Sequence, residues 1–567
     1  MCGIIAVLRG REYEENLSSK RILPRFNSAV TFLQSTLEDH EDFSEQITQA
    51  GELLSEIEKE LRTVPGIGML VFDRSSALAI QGEILRANEA LQAIDRRLDH
   101  LSIDLEQLNS CLLGVRDSMW AIERDHLRTA EAIIDLAGGT PDPNALPGLM
   151  SIQTALSALD RLEVRGRDSA GIEVFVANHN LPASALEGSR FKDLILRSGA
   201  IRDCGTHIAF VYKNAAEIGD LGDNSKVIRA AIRRDEVLRE ALLSPESTVT
   251  VLGHTRWASV GVISEANAHP VDSQEATHGD EQYVSAVLNG DIDNYMDLTE
   301  LAKLDIPAEI TTDAKVIPAL ISRQLTSTVS DLEAFRATVS TFEGSMAIAS
   351  HNAAQPHKLS LALRGSGQAI YVGLADNSYV VASEPYGVIE NASEWIRMDG
   401  EKPADPDNPI SSAGQIIQLD AAKAGDLEGI TRIAYDGTEL PVEQNEITTS
   451  DITTRDIDRG DAPHFLLKEI HEAPESVHKT LRGRIIEVEG TLRVQLGPDV
   501  IPDKTRDSLK NKQIKKIIAI GQGTAAVAAR TIPQFLSPLL EGVEVSVEAQ
   551  LATEVSGFSM ATDMSDT

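Results

Sequence analysis

The chain has 567 residues, of which 42% are hydrophobic and 25% are charged, a balance typical of soluble globular proteins with roughly two to four domains. Its 87 acidic residues outnumber its 52 basic residues, so the formal net charge is −35 at pH 7. This charge argues against nucleic acid and anionic membranes as partners, because both would be repelled.

The cysteines are Cys2, Cys111 and Cys204, and no two of them form a CxxC pair. Neither a zinc site nor a disulfide framework is therefore expected, and a reducing cytoplasm suits the chain best. The N-terminus lacks the basic region of a signal peptide, and no apolar run reaches the roughly 18 residues that a membrane span requires. We expect no metal and no cofactor.

In chain order, Cys2–Leu8 is apolar throughout and predicts a short buried strand. Two heptad seams follow, with apolar residues at alternating spacings of three and four. They predict two long helices folded back as an antiparallel coiled coil, the second roughly 60 Å long at about 1.5 Å per residue. An ordinary helical subdomain packed on the core is the alternative. The seams comprise Ile47, Ala50, Leu54, Ile57, Leu61 and Val64, then Ile84, Ala87, Leu91, Ile94, Leu98, Leu101, Leu105, Leu108, Leu112, Val115, Met119 and Ile122.

A Gly/Pro-rich stretch at 138–148 predicts a linker out of the helical insertion. Mixed α/β patterning then runs from Met150 to about Asp436, and the polar, acidic residues 448–462 predict a second linker. From His464, a helix leads to the apolar strand Ile517–Ile520, a glycine turn and another helix, the opening of a parallel α/β unit. We expect this last domain to be incomplete.

Cys2 would become the first residue if the initiator methionine were removed, as is usual before a small residue. It would then carry a thiol and a free α-amine, which can act together as nucleophile and base. A cysteine at position 2 is weak evidence alone, since buried structural cysteines are common.

Seven segments occur in an order that is more specific than any one of them. They read MCGIIAV from Met1, VRGRDSAG from Val164, GHTRWASVG from Gly253, EANAHP from Glu265, VLNGD from Val287, TTDAKV from Thr311 and SEPYGV from Ser383. Together they resemble the glutaminase domain of the glutamine–fructose-6-phosphate amidotransferase family. The resemblance covers residues 1–10 and about 149–436, and the helical insertion at 11–148 lies outside it.

The resemblance implies a class II glutaminase in which Cys2 attacks the side-chain amide of glutamine. The Asn289 carboxamide and the Gly290 N–H would form the oxyanion hole, although Asn-Gly is also a common hairpin turn. Arg256 would bind the α-carboxylate of glutamine and Asp313 its α-ammonium group. Trp257 and Ser259 would also bind glutamine: Trp257 would help to close the site, and Ser259 replaces the usual Thr and keeps its hydroxyl. Val260 replaces a usual His, so one contact to glutamine would be lost. Arg165 and Asp168 would brace the site, and His269 has no assigned role.

The C-terminal segment from His464 resembles the entry to the family's sugar-isomerase (SIS) domain. Within the turn GQGT, Gly523 and Thr524 match the family and would bind sugar phosphate, whereas Gln522 and Ala525 depart from it. A tight strand–helix connection is the alternative. The rest of the SIS domain, with its isomerase residues, is expected to be missing, so this chain would hydrolyse glutamine without isomerising sugar.

The sequence thus predicts an α+β protein, an αββα N-terminal-nucleophile hydrolase sandwich at 1–10 and 149–436. A coiled-coil insertion occupies 11–148, a linker 437–462 and the start of a SIS domain 463–567. The expected function is release of ammonia from glutamine, for conversion of fructose 6-phosphate to glucosamine 6-phosphate in the full-length protein. A homodimer through the SIS region is expected, and the coiled coil's partner is left open. The alternatives are another class II amidotransferase, or an inactive coiled-coil scaffold.

Overall fold

The computed structural model describes residues 2–11, 17–36, 43–98, 106–193, 195–205, 207–215, 221–276, 282–325, 329–404, 413–450, 452–460, 462–481, 485–488, 491–494, 501–555 and 564–567. The described residues up to Leu98 and from Gln107 to His464 form one compact unit, and Phe465–Thr567 belong to a second. Among the helices described, none combines the length and the hydropathy that crossing a membrane would take.

The strands and helices of both units are numbered in chain order. The strands are β1 (Gly3–Arg9), β2 (Ser169–Ala177), β3 (Ile201–Asp203), β4 (His207–Asn214), β5 (Thr248–Arg256), β6 (Val271–Asp272), β7 (Val284–Gly290), β8 (Met346–Asn352), β9 (Lys358–Arg364), β10 (Tyr371–Ala375), β11 (Ser378–Ala382), β12 (Glu394–Arg397), β13 (Gln415–Asp420), β14 (Ile430–Ile433), β15 (Thr448–Thr449), β16 (Ile485–Val488), β17 (Thr491–Val494), β18 (Lys516–Gly521) and β19 (Ser546–Leu551). The helices are α1 (Ser19–Ser35), α2 (Phe43–Arg62), α3 (Val64–Phe72), α4 (Arg74–Leu98), α5 (Glu106–Trp120), α6 (Arg128–Ala137), α7 (Leu146–Leu162), α8 (Asp223–Arg234), α9 (Glu236–Ala241), α10 (Tyr295–Ala302), α11 (Val316–Gln324), α12 (Asp331–Val339), α13 (Thr454–Ile457), α14 (Phe465–Leu481), α15 (Asp503–Lys510), α16 (Thr524–Leu539) and α17 (Ala552–Glu554). A π-helical segment, Ala121–Leu127, joins α5 to α6.

Two antiparallel sheets form the centre of the first unit. The larger sheet has the order β15-β12-β10-β11-β1-β5-β2-β4-β3, and the smaller sheet has the order β14-β13-β9-β8-β7-β6. Their inner faces share one hydrophobic core, α7 and α8 pack on the larger sheet, and α11 and α12 pack on the smaller sheet. These are the four αββα layers that the sequence analysis expects.

Strand β1 lies inside the larger sheet, between β5 and β11. Because side chains alternate along a strand, Ile4, Ala6 and Leu8 join the core between the sheets, while Ile5 and Val7 are buried on the other face, where α7 packs. Burial on both faces explains the unbroken apolar run, and the predicted strand Cys2–Leu8 is confirmed within one residue.

The segment between β1 and α7 contains a bundle of four helices, α1, α2, α4 and α5, rather than a two-helix hairpin. The described seam residues are buried as predicted. Leu101 and Leu105, and the side chain of Leu108, lie outside the described residues. The interhelical contacts join α1 to α2 (Arg25 to Glu60, 2.8 Å), α1 to α4 (Asn27 to Arg86, 3.0 Å), α4 to α5 (Asp95 to Arg116, 2.6 Å) and α2 to the π-helical segment (Glu58 to His126, 2.9 Å).

The prediction of one helix through Ile84–Ile122 is wrong. Helix α4 ends at Leu98, and Arg116 of α5 contacts Asp95 of α4. Those two residues would lie about 30 Å apart in a single straight helix, so α5 runs back along α4. Heptad spacing records which side chains are buried and not the direction of the chain, and antiparallel helices of one bundle share the same spacing.

The predicted linker at 138–148 is shorter than expected, because α7 already begins at Leu146. Pro147 suits the first turn of a helix, where its missing N–H is not needed. Gly148 permits close packing, since a Cβ there would lie 2.7 Å from Leu242 and 2.9 Å from Val249. Pro147 and Gly148, residue types that usually interrupt helices, thus lie in the first turn of α7.

The predicted linker 437–462 is packed against the first unit along much of its length. Strand β15 pairs with β12 at the edge of the larger sheet, and α13 contacts the insertion. Three polar contacts hold this exit segment, residues 452–460, to the helices of the insertion: Thr454 to Asp125, Arg455 to Asp117 (3.0 Å) and Arg128 to Asp458 (3.4 Å).

In the second unit, β18 and β19 are parallel neighbours and α16 packs against both. The predicted strand Ile517–Ile520, its glycine turn and the helix after it are therefore confirmed. The helix expected from His464 is α14.

A buried charged cluster joins the insertion to the core of the first unit. Arg161 of α7 contacts Glu390 at 2.5 Å and Asp125 at 3.9 Å, and Thr129 donates to Glu390 at 3.1 Å. Burial raises the pKa of Asp125, and the neighbouring Glu390 carboxylate raises it further. Arg161 thus compensates two buried acids.

We predict that Arg161→Met lowers the free energy of unfolding by about 3–5 kcal/mol, because it leaves these carboxylates buried without their cation. Urea unfolding followed by circular dichroism measures the change. Arg74→Met is the matched control, since Arg74 and Glu131 are both exposed and 3.9 Å apart, and it should cost about 0–1 kcal/mol. Equal effects of the two substitutions would contradict the role of Arg161.

Candidate active site

The ends of three strands bring four of the predicted residues together. Strand β1 begins directly after Cys2, β5 ends at Arg256, and β7 ends with Asn289 and Gly290. Gly3 of β1 pairs with Thr255 of β5, and β7 packs against β1 and β5 from the other sheet. The site therefore lies at one end of the interface between the sheets.

The Cys2 thiol lies against the backbone of Trp257. The Trp257 N–H donates to Sγ at 3.2 Å, and Sγ lies 3.4 Å from the Trp257 carbonyl oxygen. Burial raises the pKa of Cys2, whereas the N–H bond from Trp257 lowers it by favouring the thiolate. Because burial is the larger effect, the thiol keeps its proton at neutral pH and needs a base to become a nucleophile.

The Asn289 carboxamide lies between Cys2 and His254. Its Nδ2 donates to the Cys2 carbonyl oxygen at 3.0 Å, and its Oδ1 lies 2.9 Å from His254 Nε2. Asn289 and His254 are both buried. The nitrogen end of the carboxamide therefore faces Cys2.

Gly290 occupies a position that only glycine fits. Its φ is +94°, in the left-handed region, and a Cβ there would lie 2.1 Å from the Ser345 carbonyl oxygen. The chain can therefore turn sharply at the end of β7 and leave the backbone beside Asn289 uncovered.

Arg256 is buried, and its guanidinium contacts the backbone of the loop that follows β5. Its guanidinium donates to the carbonyl oxygens of Val260 and, at 3.4 Å, Val262. Burial lowers the pKa of Arg256, while the charges of Cys2 and Asp313 raise it, so these groups lie within electrostatic reach of one another. The Val260 contact uses the backbone, so the loss of the usual histidine side chain does not affect it.

Two further predicted residues contact groups around the site. Asp168 accepts from the Ala258 N–H at 2.8 Å, and Arg165 pairs with Glu384 at 2.9 Å. Their bracing role stays a prediction. His269, whose role the sequence left open, lies 3.2 Å from the Thr312 hydroxyl through its Nε2.

Asp313 is buried at the start of a short 3₁₀ turn and accepts from the Ile292 N–H at 2.9 Å. Burial raises the pKa of Asp313. Ser259 donates to Asp291 at 2.6 Å, so the hydroxyl kept by the Thr-to-Ser replacement is in use. Trp257 is 60% exposed and is not a core aromatic.

Gly523 and Thr524 lie in the second unit, away from the sequence neighbourhood of the other candidates. Gly523 has a φ of +57° and caps α16, which begins at Thr524 directly after the β18 turn.

Sequence reasoning missed His254 and Asp291. His254 lies inside the segment GHTRWASVG and Asp291 lies inside VLNGD, so both belong to motifs that the sequence analysis identifies. Their partners come from other strands and loops, and no spacing in the sequence indicates those contacts.

No protein-family model matches the chain. A glutamine–fructose-6-phosphate aminotransferase (isomerizing) from Bacillus cereus is 27% identical over 405 residues, 71% of this chain and 52% of the relative. The protein of the same name from Geobacillus kaustophilus is 29% identical over 333 residues, 58% of this chain and 42% of the relative. The resemblance found in the motifs is confirmed. The chain spans about half the length of these curated relatives.

The chain can be superposed in part on solved structures, among them the glutamine phosphoribosylpyrophosphate amidotransferase from B. subtilis complexed with ADP and GMP. That structure is 16% identical, with a TM-score of 0.32, and the match covers 50% of this chain and 47% of that one. A second solved structure is that of the allosteric regulatory enzyme of purine biosynthesis. It is 14% identical, with a TM-score of 0.33, and the match covers 71% of this chain and 78% of that one.

We predict that Gly290→Ala disrupts the site, because the new methyl group meets the Ser345 carbonyl oxygen in a backbone conformation that alanine avoids. The expected loss of unfolding free energy is about 1–3 kcal/mol. Gly82→Ala is the control: Gly82 lies in α4 with nothing within 4 Å, so alanine should stabilise by about 0.5–1 kcal/mol. Thermal unfolding of both variants tests the contrast, and a stable Gly290→Ala protein would contradict it.

We also predict a pH-dependent contribution from His254, whose pKa burial lowers from 6.5 to about 3. Below pH 6.5 the unfolded chain binds this proton and the folded chain does not, so stability falls as pH falls from 6.5 toward 3. His254→Gln removes this dependence, and its deficit relative to the parent should shrink by about 2 kcal/mol between pH 7 and pH 5. Urea unfolding at several pH values measures it. The exposed His464→Gln serves as control, and a constant deficit for His254→Gln would refute the prediction.

Proposed function

We propose that the chain carries the glutaminase of a glutamine-dependent amidotransferase, with Cys2 as its nucleophile. The observation that carries this proposal is the convergence of Cys2, Arg256, Asn289 and Gly290 at the ends of β1, β5 and β7. The names of the curated relatives support the same assignment.

In this proposal the Cys2 sulfur attacks the side-chain carbonyl carbon of glutamine. Because burial raises the pKa of the Cys2 thiol, a base must take its proton during the attack. Once Met1 has been removed, the α-amine of Cys2 can take this proton and pass it to the departing ammonia. Water then hydrolyses the thioester and releases glutamate.

The oxyanion of the tetrahedral intermediate would be bound by Asn289 and Gly290. A carboxamide nitrogen carries two N–H groups, and one of those of Asn289 donates to the Cys2 carbonyl oxygen. We assign the second to the oxyanion, together with the Gly290 N–H. Each such donor typically contributes about 3–4 kcal/mol to transition-state binding in a dry site.

Arg256 and Asp313 would bind the two charged groups of the substrate's α-carbon. A guanidinium has five N–H donors, so its contacts to Val260 and Val262 leave capacity for the α-carboxylate. Asp313 would accept from the α-ammonium group, which would also favour its ionised form. Trp257 and Ser259 would line the entrance through the loop after β5.

We further propose fructose 6-phosphate as the acceptor of the ammonia, giving glucosamine 6-phosphate, because the curated relatives are named for that substrate. Gly523 and Thr524 would bind the sugar phosphate at the start of α16. A homodimer through the second unit and a cytoplasmic location belong to the same proposal. The net charge of −35 supports the absence of nucleic acid as a partner.

We predict that Cys2→Ala abolishes glutamate release from glutamine, measured after mass spectrometry has confirmed Cys2 as the first residue of the parent. Cys111→Ala is the matched control, because Cys111 lies in α5 of the insertion and should retain full activity. Release that persists in Cys2→Ala would refute the proposed nucleophile. A folded, processed parent that releases no glutamate would favour the scaffold alternative.

A further inference from the structure

A catalytic carboxamide has two ends of almost the same shape and opposite hydrogen-bonding character. Rotating the Asn289 side chain by half a turn would exchange Nδ2, which donates, for Oδ1, which only accepts. In that orientation an oxygen would face the Cys2 carbonyl oxygen and the developing oxyanion, and both contacts would be repulsive. Catalysis by Asn289 therefore requires a device that selects one orientation.

We propose that His254 is this device, a positioning residue that presents the N–H groups of Asn289 to the reaction. The inference rests on the proposed glutaminase function. His254 Nε2 lies 2.9 Å from Asn289 Oδ1, while Asn289 Nδ2 lies 3.0 Å from the Cys2 carbonyl oxygen. Since Oδ1 has only lone pairs, Nε2 must carry the proton and donate it.

The surroundings of His254 keep its ring neutral and in this tautomer. Burial lowers the pKa of His254 to about 3, so at neutral pH the ring carries a single proton. Its Nδ1 is buried as well. Because Nε2 faces the Asn289 oxygen, which can only accept, the Nε2–H tautomer is favoured.

The backbone and a second histidine fix the position of the ring. In the larger sheet, His254 of β5 pairs with Ile4 of β1 and Gly171 of β2. Its ring packs against that of His269, with centroids 4.5 Å apart and the two planes inclined by 34°. Burial lowers the pKa of His269 well below its usual value as well, so the two neutral rings do not repel each other.

His269 extends this arrangement to the other end of the substrate site. Its Nδ1 accepts from the Leu288 N–H at 3.4 Å, so its Nε2 carries the proton and donates to the Thr312 hydroxyl at 3.2 Å. The Thr312 hydroxyl lies 3.4 Å from Asp313 Oδ1. One pair of neutral histidines in contact thus supports both the proposed oxyanion donor and the residue proposed for the α-ammonium group.

The test is a double-mutant cycle on glutamate release with His254→Phe and Asn289→Ala. Phenylalanine keeps an aromatic ring in contact with His269 but cannot donate a hydrogen bond. We expect His254→Phe to lower kcat roughly 10–100-fold with little change in KM, below the roughly 10²–10³-fold effect of losing a whole oxyanion donor. In the Asn289→Ala background, His254→Phe should cost nothing further, because the group that it orients is gone. His254→Gln should recover part of the loss, since it restores a donor.

His351→Phe is the matched control. His351 is another buried neutral histidine, whose pKa burial lowers to about 4, and its Nδ1 bonds to the Lys358 carbonyl oxygen. It lies in β8 five residues beyond Met346, the partner of Gly290, which places it about 17 Å along the strand. His351→Phe should change the Tm and leave kcat unaltered.

Two outcomes would overturn the inference while leaving the glutaminase intact: an unchanged kcat in His254→Phe, or losses that simply multiply in the double variant. A parent without glutamate release would count against the proposed function instead. In that case the inference is tested by ring ¹⁵N chemical shifts of the parent, in which the His254 signals are assigned by their absence from His254→Phe. A proton on Nε2 would support it, and a proton on Nδ1 would refute it.

Discussion

The antiparallel pairing of β1 with both β5 and β11 is the constraint on which the rest of the first unit depends. An interior strand has no free edge, and β1 is also covered by α7 on one face and by the smaller sheet on the other. A displacement of one residue along β1 would disrupt both ladders and move all of its side chains to the opposite face of the sheet. The position of Cys2, one residue before this strand, is therefore set by the centre of the fold and not by a loop.

The same pairing explains why charged and polar groups lie on both sides of Cys2. Strand β5 delivers His254 and Arg256 from within the larger sheet, and β7 delivers Asn289 across the interface between the sheets. Each of these side chains is buried, so each must have a polar partner. Those partners are the backbone carbonyl groups and neighbouring side chains that also hold the loops after β5 and β7 in place.

The sequence indicated burial far better than direction. The apolar run at Cys2–Leu8 predicted a strand that the structure contains, because a strand buried on both faces has little choice of residue. The run Ile517–Ile520 is also a strand, although its side chains are only partly buried and Ile520 is 50% exposed. The heptad seam through Ile84–Ile122 predicts one helix, although its described residues belong to α4, α5 and the π-helical segment. Each helix of a bundle buries a stripe with the same spacing, so the pattern continues unchanged where the chain turns back.

For the site, ordered motifs predicted which residue types would meet, and the structure brings Cys2, Arg256, Asn289 and Gly290 to adjoining strand ends. Motifs could not indicate the contact between His254 and Asn289. The two residues are 35 positions apart, on different sheets, and their contact depends on how those sheets are stacked. Glycine 290 is the intermediate case, since its Asn-Gly pair indicated a turn but not the closeness of Ser345.

The polar contacts between the exit segment and the insertion also bear on how this protein can be divided. Thr454, Arg455 and Asp458, on the way to the second unit, find their partners on α5, the π-helical segment and the first turn of α6. An insertion placed more than 300 residues earlier in the chain thus completes the boundary of the first unit. Deleting the insertion would expose Arg161 and Glu390 to solvent. It would also remove the three polar contacts that hold the exit segment. A shortened version of this protein that preserves the first unit must therefore retain the insertion.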